Sequence, residues 1–262
     1  MNQALWIAKT GLDAQDTRMS TVSNNLANSN TTGFKKDRAV FEDLIYQTVR
    51  QPGAQATQDQ QLPSGLQIGT GVRTVSTEKM FEQGNLQQTE NSLDVAIEGD
   101  GFFQVLMPNG DVGYTRDGSF QVNSDGQVVM SNGYPLQPGL FVPDDAESID
   151  IGKDGTVTAR ITGQAEPVDL GQIQLADFVN PAGLEAVGEN IFKETAASGV
   201  AQQANPGLNG VGTVIQGSLE TSNVNIAEEL VNMIETQRAY EVNSKAISSA
   251  DQALQFINQT IG

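Results

Sequence analysis

The stretch Val-Ser-Asn-Asn-Leu-Ala-Asn-Ser-Asn-Thr-Thr-Gly-Phe-Lys-Lys, residues 22–36, marks the point at which the helical pattern of the N-terminus ends. Serine and asparagine side chains compete with the backbone for hydrogen bonds, so they favour helix ends. Gly33 can adopt the positive φ that commonly follows a last helical turn. We therefore expect a helix that begins near Met1 and ends within this stretch.

Upstream of it, apolar residues recur at alternating steps of four and three, which is the spacing of a coiled-coil seam. This first seam consists of Met1, Leu5, Ala8, Leu12, Met19, Val22 and Leu26, with the polar Gln15 inside it. The other faces of the helix are polar, and Gly11 costs about 1 kcal/mol relative to alanine. Such a helix is marginal by itself in water, so it needs a partner.

The last forty residues contain a second seam, in which apolar residues recur at steps of seven. Its members are Ile226, Met233, Tyr240, Ile247, Leu254 and Ile261, and Leu230 widens the stripe. Asn225 followed by Glu228 is typical of a capped helix start. An amphipathic helix packed on a globular core is the alternative interpretation. Two seams at opposite ends of one chain favour a helical pair formed by the termini.

The middle of the chain has a β pattern. Short apolar runs are separated by turn pairs that predict antiparallel hairpins, namely Asn109-Gly110, Asp117-Gly118, Asp125-Gly126, Asn132-Gly133 and Asp154-Gly155. The predicted core consists of Val95, Ile97, Phe102, Phe103, Val105, Leu106, Phe120, Val122, Val128, Val129 and Met130. Residues 51–65 are rich in glutamine and predict an extended arm or a long loop.

These patterns together predict an α+β fold with three parts. The terminal helices, residues 1–40 plus 221–262, form a coiled-coil-like inner domain. Residues 76–199 form an antiparallel β outer domain. Residues 41–75 plus 200–220 form the connecting arm and linker.

Composition excludes several classes of function. The chain has no cysteine and no histidine, so Ser-His-Asp and Cys-His mechanisms are excluded and a zinc site is not expected. Of the net charge of −18, residues 76–220 carry five basic and 21 acidic groups. An acidic region of this size repels nucleic acid and anionic lipid. No apolar run is long enough to cross a membrane, and no cofactor is expected.

Two groups of charged residues need separate interpretation. The carboxylates between Glu98 and Asp125 do not have calcium-loop spacing, and turn chemistry accounts for their Asp-Gly pairs. We therefore predict no catalytic, cofactor-binding or metal-binding residue. Lys35, Lys36 and Arg38 form a small basic cluster, which we interpret as a solvated helix exit or a pairing site for a neighbour's acidic surface.

The order of residues in the opening stretch is similar to the N-terminal signature of the axial proteins of the bacterial flagellum, which are the rod, hook and hook-associated proteins. The matching positions include Ser23, Asn24, Asn25, Leu26, Asn28, Asn30, Gly33 and Phe34. Three later stretches resemble the same family: 91–103 with 114–120, 217–224, and 236–241. The chain length and residues 245–255 fit the distal rod members best.

The resemblance implies a structural subunit with no catalytic site. In this family the terminal helices form the inner domain of a hollow helical tube that crosses the periplasm and transmits motor torque to the hook. The implied partners are further copies of the chain, the proximal rod and hook proteins along the axis, and the periplasmic and outer-membrane ring proteins. The assembly interface would comprise the seam residues from Leu5 to Leu26 and from Ile226 to Ile261 named above.

The resemblance also implies export through the flagellar type III gate, without a cleaved signal peptide. Phe41 and Ile45 resemble the export-gate recognition motif of rod and hook subunits, or alternatively they are packing anchors at the start of the arm. Two other functions stay open from the sequence. One is a proximal rod or hook-like paralogue, and the other is a cell-wall β-protein that binds or hydrolyses carbohydrate.

Overall fold

The computed structural model describes residues 3–53, 55–57, 60–61, 63–163 and 166–261, with an α-helix at each end and antiparallel strands between them. The predicted α+β class is therefore confirmed. The chain divides into two compact units. The helical unit comprises residues 1–27, 37–78 and 225–262, and the β unit comprises residues 28–36 and 79–224.

The helical unit contains two long helices and a set of short strands. Its elements are α1 (Gln3–Ala27), β1 (Asp37–Asp43), β2 (Gln47–Arg50), β3 (Gln55–Thr57), β4 (Gln60–Gln61), β5 (Leu66–Ile68), β6 (Val72–Lys79) and α2 (Ile226–Ile261). The strands pair as nested two-stranded ribbons, β1 with β6, β2 with β5, and β3 with β4. The described residues of the region predicted as an arm or a long loop thus form a β-ribbon.

The start of α2 follows from its cap. The Oδ1 atom of Asn225 accepts hydrogen bonds from the backbone N–H of Ala227, at 3.1 Å, and of Glu228, at 3.5 Å. Glu228 and Glu229 lie in the first turn, where the helix dipole favours negative charge. The capped start predicted from the sequence is therefore confirmed.

The β unit contains the remaining strands, and every pairing with a defined register is antiparallel. They are β7 (Leu86–Gln88), β8 (Val95–Glu98), β9 (Phe102–Leu106), β10 (Val112–Thr115), β11 (Phe120–Val122), β12 (Val128–Met130), β13 (Leu136–Gln137), β14 (Ala146–Ile151), β15 (Thr156–Ile161), β16 (Val168–Gln172), β17 (Leu175–Asp177), β18 (Glu185–Gly188), β19 (Ile191–Lys193), β20 (Gln202–Ala204), β21 (Thr213–Gln216) and β22 (Ser218–Glu220).

The largest sheet has the strand order β18-β19-β10-β9-β17-β20, with β13 beside β9. A second sheet has the order β14-β15-β16, and β11–β12, β21–β8 and β22–β7 are two-stranded. Residues 200–220, predicted as a linker, contain three strands that pair within the β unit.

Strand β9 is buried on both faces, because side chains alternate along a strand. Phe103 and Val105 join the main apolar core with Leu175 and Ile191. Phe102 faces the other way, into a smaller aromatic cluster with Tyr114, Phe178 and Phe192. The rings of this cluster meet edge to face, with centroids 5.8 Å apart for Phe102 and Phe178.

Most of the predicted core is confirmed, with two corrections. Val122 is 38% exposed and Leu106 is half-buried. Val122 is the last residue of β11 before a turn, at the end of a two-stranded ribbon, so less of the protein covers it.

Three of the five predicted hairpin turns are confirmed. Asn109-Gly110 joins β9 to β10, Asp125-Gly126 joins β11 to β12, and Asp154-Gly155 joins β14 to β15. Asn132-Gly133 makes a tight turn, but the strands that flank it belong to different sheets.

The hairpin predicted at Asp117-Gly118 is wrong, because β10 and β11 also belong to different sheets. Gly118 serves a different purpose: its carbonyl accepts a hydrogen bond from Val95 N at 3.0 Å. A Cβ atom on Gly118 would lie 1.6 Å from the Val95 carbonyl oxygen. Glycine is required here by a close approach of two backbones rather than by a turn.

We predict that Gly118→Ala lowers the free energy of unfolding by about 3 kcal/mol or more, because the strand that begins at Val95 has to move. Gly110→Ala is the matched control. Gly110 has a φ of 85° but no atom within 4 Å of an added Cβ, so only backbone strain of about 1–2 kcal/mol is expected. Urea unfolding followed by circular dichroism measures both. Equal losses would contradict the close-approach explanation.

Candidate assembly surface and buried ion-pair cluster

Lys35, Arg116 and Glu220 form a buried ion-pair cluster inside the β unit. The Lys35 Nζ atom lies 2.6 Å from Glu220 Oε1, and both side chains are fully buried. Arg116 Nη1 lies 3.4 Å from the other carboxylate oxygen. Backbone groups complete the site, because Lys35 Nζ donates to the Glu82 carbonyl at 2.7 Å and the Gly84 N–H donates to Glu220 Oε1 at 2.8 Å.

Burial and charge act in opposite directions on the two cations. Desolvation lowers the pKa of Lys35 and of Arg116, while the Glu220 carboxylate raises both. Asp100 adds a second favourable charge for each cation. The Arg116 guanidinium also lies over the Phe102 ring, 5.3 Å from its centroid. In this cluster, one fully buried carboxylate, that of Glu220, therefore pairs with two buried cations.

The cluster joins three stretches that the sequence analysis treated separately. Lys35 belongs to the opening stretch, Arg116 to the 114–120 motif, and Glu220 to the 217–224 motif. The interpretation of Lys35 as part of a solvated basic cluster is wrong, because its side chain is fully buried against Glu220, which lies 185 positions away. Arg38 is exposed and forms a surface pair with Glu78 at 2.8 Å.

Gly33 is fixed by the same cluster. Its φ is 68°, as the sequence predicted, but α1 ends at Ala27, so Gly33 does not cap the helix. Its N–H donates to the Glu220 carbonyl at 2.8 Å, and an added Cβ would lie 2.7 Å from the Arg116 carbonyl carbon. Phe34 is buried beside it, with Lys79 Nζ 5.2 Å from its ring centroid.

The asparagines of the opening stretch have different surroundings. Asn25 is 2% exposed, and its carboxamide bridges the backbone of Asp37, accepting from N at 2.8 Å and donating to O at 2.9 Å. This bridge fixes the start of β1 against α1. Asn28 accepts bonds from Thr31 within a turn. The other predicted signature positions Ser23, Asn24 and Asn30 are exposed.

The two helices pack against each other through small and polar residues. An added Cβ on Gly11 would lie 3.1 Å from Asn243, and Arg18 Nη2 lies 3.9 Å from Glu235. Because these partners occur in reverse order along the chain, the helices are antiparallel. The residues of α2 on this contact line are buried or half-buried at steps of seven, and they are the polar Glu229, Thr236 and Asn243, followed by the small Ala250; we call this the polar contact line.

In α1, Gly11 and Arg18 lie against α2, and each directly precedes a member of the predicted seam. Ala14 and Thr21, at the same spacing, are buried, and so is Asn25, which binds the backbone of Asp37 instead. The predicted seam itself is half-buried at Leu5, Leu12, Met19 and Leu26 and buried at Val22.

The apolar line of α2 is largely exposed in the single chain. Ile226, Leu230 and Tyr240 expose 47%, 44% and 41% of their surface, while Met233 and Ile247 are half-buried. Val231, Ile234 and Val242 are exposed as well. The side chains of Leu254 and Ile261 lie outside the described residues. An exposed apolar surface of this extent is typical of an interaction site.

A groove of about 500 Å³ lies elsewhere in the helical unit. Small and apolar residues dominate its walls, which are formed by Ala4, Ile7, Ala8, Gly11, Gly71, Val72, Asn243 and Ala246. Val72 N donates to Thr10 Oγ1 at 3.3 Å, and an added Cβ on Gly71 would lie 2.2 Å from that oxygen, so the ribbon is held closely against α1.

The proposed export residues lie on the ribbon. Phe41 is half-buried in β1, and Ile45 is 85% exposed just after it. Ile45 is therefore not a packing anchor in this chain.

The described part of the chain contains no helix long and apolar enough to span a membrane. Nor do its carboxylates converge in groups of three or more that could hold a metal ion.

Three regions match known protein families. Residues 5–35 match the family described as flagella basal body rod protein. Residues 96–159 match the flagellar hook protein FlgE/F/G D1 domain, and residues 215–260 match the flagellar basal body rod FlgEFG protein C-terminal region.

Similar proteins cover the whole length. The flagellar basal-body rod protein FlgG of Buchnera aphidicola subsp. Schizaphis graminum is 58% identical over 259 residues, which is 99% of this chain and 100% of that protein. The protein of the same name from Borreliella burgdorferi is 50% identical over 98% of both chains. That from Bacillus subtilis is 36% identical over 97% of both.

We predict that Glu220→Gln lowers the free energy of unfolding by about 3–5 kcal/mol, because it leaves two buried cations without their carboxylate. Glu78→Gln is the matched control: it breaks the exposed pair with Arg38 and should cost less than about 1 kcal/mol. Hydrogen exchange of the β9 amides, with urea unfolding, measures both. If Glu220→Gln lowers the free energy of unfolding no more than Glu78→Gln does, the stability of the β unit does not depend on the cluster.

Proposed function

The chain belongs to the flagellar basal-body rod protein family and is a structural subunit of the distal rod, and we propose that its copies assemble into a hollow helical shaft that carries motor torque to the hook. The proximal-rod and hook-like alternatives are set aside because the relatives that match the full length at 44–58% identity are FlgG rod proteins. No described feature favours the carbohydrate alternative.

The observation that carries the proposal is the separation of two lines on α2. The polar contact line, which includes Thr236, faces α1, while Leu230 and Tyr240 of the apolar line stay exposed. Since the exposed line has no partner within the described chain, a second copy is its natural occupant. A second copy bound there would also cover the half-buried seam residues Leu12 and Met19 of α1.

The groove supports an open rather than a closed assembly. It consists of residues other than those of the exposed apolar line. When two different surfaces of identical subunits bind each other, the contact repeats and produces a ring or an open helix. A helical homopolymer follows if the rotation does not close.

The helix pair would form the inner domain of the shaft, with the coiled-coil-like seams completed between copies. The polar surfaces of both helices suit the wall of an export channel, because such a wall must not hold an unfolded chain that passes through it. Proximal rod and hook proteins would bind at the two ends, and periplasmic and outer-membrane rings would surround the shaft. Its place is the flagellar basal body, where it would cross the periplasm.

We predict that Leu230→Asp abolishes assembly while the single chain still folds. Leu230 is 44% exposed, so a carboxylate costs little in the monomer, but burying it unpaired between copies costs several kcal/mol, about 3 or more, at each contact. Sedimentation and electron microscopy over a concentration series measure assembly, and circular dichroism measures folding.

Ser20→Asp is the control, because it adds the same charge at an exposed polar position of α1, seven residues after the exposed Asp13 and outside the predicted seam. It should still assemble. Normal polymers from Leu230→Asp would mean that the apolar line faces solvent or the channel.

The export hypothesis concerns Phe41 and Ile45. We expect export through the type III gate without a cleaved signal peptide, with these two residues recognised while the chain is unfolded. Phe41→Ala should then leave the protein in the cytoplasm at an unchanged cellular amount. Val40→Ala, at the adjacent half-buried position of β1, is the control for packing effects and should be exported normally. Fractionation with immunodetection measures both, and normal export of the Phe41→Ala protein would refute the hypothesis.

A further inference from the structure

We propose that Asn209 is a site of spontaneous deamidation, at which the chain converts an asparagine into aspartate and isoaspartate without an enzyme. Asparagine followed by glycine favours this reaction, because glycine has no side chain to hinder its own backbone nitrogen. The chain contains three such pairs, Asn109-Gly110, Asn132-Gly133 and Asn209-Gly210. The structure separates the third pair from the other two in three ways.

The chemistry needs a free nucleophile and a free carboxamide. The glycine backbone nitrogen loses its proton to solvent base and attacks the asparagine Cγ. A C–N bond forms, the bond from Cγ to Nδ2 breaks, and the side-chain nitrogen takes a proton from water and leaves as ammonia. Water then opens the succinimide ring at either carbonyl, giving aspartate or isoaspartate. The net result is one water consumed, one ammonia released and one negative charge gained.

The first difference is the glycine amide. Gly110 N donates to the Met107 carbonyl at 2.9 Å, and Gly133 N donates to the Met130 carbonyl at 2.8 Å, so both nitrogens close their turns. Within the described part of the chain, the Gly210 amide has no hydrogen-bond partner, and Gly210 is exposed. The nucleophile is therefore free only in the third pair.

The second difference is the asparagine side chain. Asn109 Nδ2 donates to the Asp111 carboxylate at 3.0 Å, and Asn132 Nδ2 donates to the Glu189 carboxylate at 2.8 Å. In both, Oδ1 accepts a further bond, at 3.1 Å, from the backbone N–H two residues on. The carboxamide of Asn209 has no partner among the described residues and is exposed, so it can rotate toward the attacking nitrogen.

The third difference is backbone strain. Asn209 and Gly210 have φ values of 54° and 85°, and Val211 N donates to the Leu208 carbonyl at 3.0 Å. These are the features of a type I′ turn, in which an L-residue takes the unfavourable left-handed conformation. Isoaspartate places one more carbon in the main chain, so the modified turn no longer has to hold Asn209 in that conformation.

The test is a comparison of the three pairs within one protein. The purified full-length chain is incubated in mildly alkaline buffer, and peptide mapping by mass spectrometry follows each pair over time. In the folded chain Asn209 should deamidate at least about tenfold faster than Asn109 or Asn132, because the other two must first break their hydrogen bonds. In concentrated urea the three rates should agree within about twofold, since no pair is then protected.

Equal rates at Asn209 and Asn109 in the folded chain would overturn the proposal, as would an intact Asn209 that reacts only in urea. Asn209→Gln provides a second measurement. The longer side chain cannot form the five-membered ring, so the acidic form that accumulates in the unsubstituted chain on isoelectric focusing should be absent. Its undiminished appearance in Asn209→Gln would place the reaction elsewhere.

Discussion

The rest of the β unit depends on the ion pair between Lys35 and Glu220. Both side chains are fully buried, and Arg116 shares the carboxylate. Removing charges from water costs several kcal/mol for each ion, of the order that a good ion pair recovers, so the cluster contributes little net stability over an apolar replacement. The cluster instead fixes the relative positions of its three residues, because a buried carboxylate cannot tolerate the loss of either cation. Three remote stretches of the chain must therefore meet at one point.

This constraint explains residues whose types are otherwise hard to account for. Gly33 is glycine because its backbone lies against that of Arg116 while its N–H binds the Glu220 carbonyl. Gly84 binds the same carboxylate through its N–H, and an added Cβ there would lie 2.0 Å from the Thr221 carbonyl oxygen. The backbone packs this closely around the cluster because main-chain groups supply hydrogen bonds that a buried ion pair would otherwise lack.

The sequence predicts the parts of this fold that depend on neighbours in the chain. The cap at Asn225, the turns at Asn109-Gly110 and Asp125-Gly126, and most of the core follow from local patterns. Lys35 could not be predicted, because its surroundings look like a polar helix exit and its partner is 185 positions away. Gly118 was mistaken for a turn residue, since a close backbone approach leaves the same Asp-Gly signature. The sequence predicts two helix seams, but heptad spacing does not tell which line of residues faces the same chain and which faces another copy.

That last ambiguity has an energetic meaning for assembly. Four apolar residues on one side of α2, namely Ile226, Leu230, Ile234 and Tyr240, are each about half exposed, so covering them contributes on the order of 1 kcal/mol each, or about 4 kcal/mol in all. Association of two free copies costs about 4–15 kcal/mol in translational and rotational freedom. A single contact of this kind is therefore too weak to hold a dimer. A copy that joins the end of an existing helical polymer loses its translational and rotational freedom once but makes contacts with several copies. Growth of a polymer is therefore favoured over its nucleation. The proposed arrangement, with the polar line within the chain and the apolar line between copies, thus suits a subunit that stays monomeric until it reaches a growing end.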